Sequence, residues 1–69
     1  MYSVTMILFH TTKHNGTFTF NTIEEACQKV RNNLDCACTN NDAAEGIESN
    51  GPVYYDDRYK SGYAVISKV

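Results

Sequence analysis

The stretch NGTFTFNTIEEACQKVRNNLD, Asn15 to Asp35, decides the fold, because a turn, a strand and a helix follow one another in it without a gap. Asn15-Gly16 is the dipeptide that two-residue hairpin turns favour, since both residues accept positive φ. Thr17 to Phe20 is β-branched and aromatic, and Tyr2 to His10 has the same character with period-two alternation, so the two runs read as an opening hairpin. Thr22 and Glu25 then stand in the S/T-x-x-E relation of a capping box. Glu24 and Glu25 fall in the first turn, where the helix dipole favours acids, and Lys29 and Arg31 come later. Ile23, Ala26, Cys27, Val30 and Leu34 recur at intervals of three and four, a single apolar stripe that predicts a helix from Thr22 to about Asp35.

Downstream, Val53 to Tyr55 and Tyr63 to Ser67 flank the turn-rich segment Arg58-Tyr59-Lys60-Ser61-Gly62, which predicts a second hairpin. Cys36 to Gly51 reads as an irregular connector with one turn of helix at most. Asp42 to Glu45 would start that turn and Asn50-Gly51-Pro52 would stop it. The expected architecture is therefore α+β with the order ββαββ: a four-stranded antiparallel sheet carrying one main helix on one face, in a single domain over residues 1–69. A chain of this length buries only about 60% of its unfolded surface, so its stability is modest.

The register of the first hairpin sets what lies on each side of the sheet. A two-residue turn at Asn15-Gly16 pairs Lys13 with Phe18 and Thr11 with Phe20, which groups Ile7, Phe9, Phe18 and Phe20 and leaves Val4, Met6 and Leu8 opposite them. A three-residue loop reverses that parity. Either way both faces are partly apolar, and the helix covers one. The other is closed by a loop or stays open to a partner or a second copy of the chain.

Most chemistries find no constellation in the sequence. Tyr2 to Phe9 lacks the basic start and small-residue cleavage site of a secretory leader, and no run approaches the ~20 apolar residues of a membrane span, so the expectation is a soluble cytoplasmic protein without membrane contact. Three cysteines form no common disulfide framework. Cys36-x-Cys38 with His10-x-x-x-His14 is not a recurrent zinc spacing, so the thiols are expected reduced, with no metal and no cofactor. The acidic surroundings of Cys36 and Cys38 raise a thiol pKa and quench nucleophilicity. Glu24-Glu25 and Asp56-Asp57 are sequence neighbours that point apart on a helix or strand, unlike convergent hydrolytic carboxylates. No glycine-rich phosphate loop occurs, and a pI near 5.5 with six scattered bases argues against direct nucleic-acid binding. An enzyme is not expected.

The charge distribution does carry a signal. Between Asp35 and Asp57 lie Asp35, Asp42, Glu45, Glu48, Asp56 and Asp57 with no Lys or Arg, a local −6 within a chain of net −2. Such a run is a solvated surface or a docking face for a basic partner. Tyr54, Tyr55, Tyr59 and Tyr63 cluster with it, and tyrosine supplies interface area at low entropic cost. The candidate partner-binding set is Asp42, Glu45, Glu48, Tyr54, Tyr55, Asp56, Asp57 and Tyr59.

The opening hairpin, the lead Phe18-Thr19-Phe20-Asn21-Thr22-Ile23-Glu24-Glu25-Ala26 into one helix, and the Tyr-rich strands after it together resemble the small accessory proteins of phages and mobile elements, including some anti-CRISPR and anti-restriction inhibitors. The likeness is one of layout and includes no specific motif. It implies a non-enzymatic inhibitor in the host cytoplasm that binds a basic protein or nucleoprotein complex of a defence system, presenting carboxylates where nucleic-acid phosphates would sit. The alternative is a structural or assembly homodimer held through an apolar sheet face.

Overall fold

The computed structural model describes residues 1–69 as β1 (Tyr2–Leu8), β2 (Gly16–Phe20), α1 (Ile23–Asn33), α2 (Asn40–Asn50), β3 (Val53–Asp56) and β4 (Gly62–Lys68). The four strands form one antiparallel sheet in the order β2-β1-β4-β3, so the first and last strands pair at its centre. Both expected hairpins are present. The α+β class holds, with a second helix where the sequence suggested a connector, so the order is ββααββ.

The first helix follows its sequence signals closely. Thr22 is the N-cap, its hydroxyl accepting from the Glu25 amide at 3.2 Å and meeting the Glu25 carboxylate at 3.2 Å. Ala26, Cys27 and Val30 are buried on its inner face, and Leu34, the C-cap, is buried beyond them. The second helix starts at Thr39, whose hydroxyl accepts from the Asp42 amide at 3.2 Å. It ends at Gly51, whose φ of 85° only glycine adopts freely, and the Gly51 amide donates to the Ile47 carbonyl at 3.1 Å. Ala43 and Ile47 are its buried residues. Gly46 lets it approach β3 closely, since a Cβ there would stand 2.8 Å from a Val53 methyl.

Both helices lie on one face of the sheet. Val4, Met6 and Leu8 from β1, Ala64 and Ile66 from β4, and the inner residues of α1 and α2 form a single core, with Phe18, Phe20, Val53 and Tyr55 packed around it. Lys29 of α1 covers the Phe18 ring with its ammonium 4.3 Å from the centroid, an attraction worth about 0.5–1 kcal/mol.

The hairpin register differs from the two-residue turn. Seven residues, 9–15, connect β1 to β2, and the pairs are Tyr2 with Phe20, Val4 with Phe18 and Met6 with Gly16. Phe18 and Phe20 therefore join Val4 and Met6 on the helix side, and Ile7 and Phe9 are left without them. Asn15 explains the shift. Its side-chain oxygen accepts from the Leu8 amide at 2.7 Å and its amide donates to the Leu8 carbonyl at 3.2 Å, so Asn15 pairs with the end of β1 through its side chain instead of turning the backbone.

Candidate functional site

The acidic run is divided by the fold. Asp42, Glu45 and Glu48 lie on the solvent side of α2, opposite Ala43 and Ile47, and none of them has a cationic partner. Asp35, just beyond α1, stands 3.7 Å from Arg58, an exposed pair worth at most about 1 kcal/mol. Asp56 on β3 receives Lys60 at 2.8 Å, a contact that raises the lysine pKa.

Asp57 belongs to the interior, a correction to its expected place on a docking surface. It is 5% exposed, and both carboxylate oxygens are occupied. One accepts from the Asp35 amide at 2.7 Å. The other accepts from the Tyr59 amide at 2.8 Å and the Ser61 hydroxyl at 2.9 Å. The Asp35 amide contributes most, followed by the Ser61 hydroxyl, and together these donors hold the Asp57 carboxyl down at about 2. Beside it the Arg58 amide donates to the Asp35 carbonyl at 2.8 Å, so the β3–β4 turn is tied to the end of α1.

The tyrosines divide as well. Tyr55 faces the helices, a second correction, since it cannot share a surface with its neighbour Tyr54. Burial, then the neighbouring Cys38, pushes its phenol above the usual range. Tyr54 is 58% exposed on the opposite face, and Tyr59 is 74% exposed at the tip of the turn. Because α2 packs on the helix side of β3 and β4, the sheet itself separates Tyr54 and Asp56 from Asp42, Glu45 and Glu48.

The thiols sit in the core or at its rim. Cys27 and Cys38 are buried, and burial followed by contact with Cys27 pushes Cys38 up to about 12. Cys36 is half-buried, and burial raises its thiol, opposed by a hydrogen bond with the Cys38 backbone and reinforced by the negative charges of Cys38, Asp57 and Asp35. All three are poor nucleophiles at neutral pH. Native protein treated with a thiol-specific disulfide reagent at neutral pH is expected to react only at Cys36, slowly, and to release all three thiols in denaturant. Rapid native labelling of Cys38 would contradict its placement. His10 and His14 lie exposed in the 9–15 connection, and no group of three or more His, Cys, Asp or Glu side chains is placed to hold a metal ion.

A surface that the sequence reading placed only in part is the sheet face turned away from the helices. In register across the strands it presents Thr19, Ser3 and Ser67, then Thr17, Thr5, Val65 and Tyr54, then Ile7, Tyr63 and Asp56. Phe9 extends the last row, with its ring 6.1 Å from that of Tyr63, and Tyr63 stacks on Tyr54 at 5.5 Å. Phe9 is 65% exposed, so the 9–15 connection does not close over this face. The alternation of Ile7 with Phe9 and of Tyr63 with Val65 was the available signal. The misplaced Phe18 and Phe20 obscured it. Compared with protein-family models, with curated proteins and with solved structures, the chain matches none.

Proposed function

We propose that this chain is a non-enzymatic binding protein that inhibits or regulates its partner by laying the carboxylates of α2 on a basic surface meant for nucleic acid, the mode of a phage-type anti-defence inhibitor. The observation that supports this reading is the row Asp42, Glu45 and Glu48: exposed, on one side of one helix, without counter-ions. At a rise of about 1.5 Å per residue these carboxylates follow one another every ~4.5 Å along the axis, turning about 60° around it at each step, a regular series of negative charges on one side of the helix. The caps at Thr39 and Gly51 fix the helix that carries them. Asp35 and Asp56 contribute less, since each already faces a base, and Asp57 contributes only to the fold.

The test is a pull-down from cell lysate with tagged protein, washed at low and at high salt, beside the variant Asp42→Lys/Glu45→Lys/Glu48→Lys. The native chain is expected to retain a Lys/Arg-rich, nucleic-acid-handling complex that high salt releases. The variant is expected to weaken that retention by about 100-fold, with rim charges acting mainly on the association rate. Equal retention by the variant would refute the role of α2.

A further inference from the structure

We infer that the open sheet face is a self-association surface that pairs two copies of this chain face to face. Three features favour a second copy over a basic partner. First, the face carries no net charge: its one carboxylate, Asp56, is neutralised by Lys60 at 2.8 Å, so two copies of a chain with net charge −2 meet there without repulsion. A cationic surface would find nothing to complement. Second, four of its hydroxyls are already paired with each other, Ser3 with Ser67 at 2.9 Å and Thr5 with Thr17 at 3.1 Å, so each pair leaves one O–H proton, not two, to be satisfied when the face is dried. Third, the apolar content forms one patch, Ile7, Phe9, Tyr54, Tyr63 and Val65, in which Tyr63 stacks on Tyr54 and meets Phe9 at a tilt, so the rings already pack against one another before contact.

The area suits a reversible dimer. Four strands about 4.8 Å apart and some six residues of about 3.4 Å give a face of roughly 20 Å by 20 Å. Two such faces bury roughly 800 Å², within the range of weak, transient associations. The packing would be that of a β-sandwich, with sheets about 10 Å apart and the helices outside. Each α2 then points outward, and the dimer displays two acidic rows. Phe9, Tyr54 and Tyr63 lie outside α2, so the dimer and the partner of α2 are tested separately.

The experiment is sedimentation equilibrium from about 5 µM to about 500 µM, at ordinary salt and at about 1 M NaCl, on the parent, on Phe9→Lys/Tyr54→Lys and on Asp42→Lys/Glu45→Lys/Glu48→Lys. The parent is expected to pass from 7.8 kDa toward twice that mass with a Kd on the order of 10–100 µM, no weaker at high salt. The α2 variant should do the same. Both residues of the sheet-face variant are exposed, so it should keep the parental circular dichroism and stay monomeric, at least ~50-fold weaker. A parent that remains at 7.8 kDa throughout, a dimer that dissolves in salt, or a sheet-face variant that dimerises like the parent would overturn the inference. Should that variant not fold, intermolecular nuclear Overhauser contacts in a mixed-label parent decide: contacts from the Tyr54 or Tyr63 ring to Ile7 or Val65 methyls are expected, and their absence overturns it.

Discussion

Asp57→Asn is expected to lower the thermal midpoint by roughly 10 °C or more, although only one oxygen becomes a nitrogen. The carboxylate accepts from the Asp35 and Tyr59 amides and from the Ser61 hydroxyl, all within 2.9 Å, and every one of these contacts points a donor at it. An asparagine oxygen can serve one side of that set. Its amide group then opposes donors on the other, leaving them unpaired in a site that is 5% exposed. The loss spreads beyond the turn, because the same carboxylate ties β3–β4 to the end of α1.

The pH dependence follows from the same contacts. The folded carboxyl titrates at about 2, below its ordinary 3.8, so the group stabilises the native state in full above about pH 4. That contribution falls as pH drops through the interval to 2, where the folded carboxyl itself takes up a proton. The parent and Asp57→Asn, melted at pH 6, 4, 3 and 2, should therefore differ most at pH 6 and 4 and converge toward pH 2. A constant difference across the series would place the effect elsewhere.

Gly62→Ala is the second large effect, expected to cost about 2–4 kcal/mol in denaturant unfolding. Gly62 opens β4 opposite Leu8 of β1, in the central pair of the sheet. A Cβ there would stand 2.5 Å from the Ile7 carbonyl oxygen and 2.8 Å from a Leu8 methyl. The side chain has some room to yield, but the carbonyl belongs to the ladder between the two longest strands. Gly51→Ala has a different origin. Its Cβ would meet nothing, so only the backbone opposes it, φ 85° with ψ −141°, a region essentially reserved for glycine, and a loss of about 1–3 kcal/mol is expected. A Gly62→Ala loss below about 1 kcal/mol would mean that close approach at Gly62 is not what requires glycine.

The elements that were legible in sequence are those with strong local signals. Thr22, Glu25 and the stripe from Ile23 to Leu34 marked α1 because cap and periodicity agree. The second helix escaped because Asn40 to Asn50 holds three asparagines, a central glycine and only Ala43, Ala44 and Ile47 as apolar residues. Its helical state rests on packing against β3 and β4 and on the Thr39 cap. The Asn15-Gly16 signal was real as a hairpin marker but misleading as to register, because the Asn15 side chain takes the place of a backbone pair at Leu8.

The site divided in the same way. The acids of α2 were visible as charge, and their separation from Tyr54 was not, since it depends on which side of the sheet the unrecognised helix occupies. Asp57 looked like one more surface acid. The Asp57-x-x-x-Ser61 spacing around a tight turn was the cue that its oxygens turn inward. Tyr54 and Tyr63 meet within the β3–β4 hairpin, but Phe9 joins them only through the pairing of β1 with β4, strands at the two ends of the chain.

Competition decides whether the carboxylates of α2 take the place of phosphates. A captured basic complex loaded with fluorescent single-stranded nucleic acid is titrated with the native chain and with Asp42→Lys/Glu45→Lys/Glu48→Lys, and anisotropy reports release. Phosphate replacement by α2 predicts stoichiometric displacement by the native chain and none by the variant at the same concentrations. Native protein that binds while the nucleic acid stays in place, or a variant that displaces it equally well, would rule out phosphate replacement by α2.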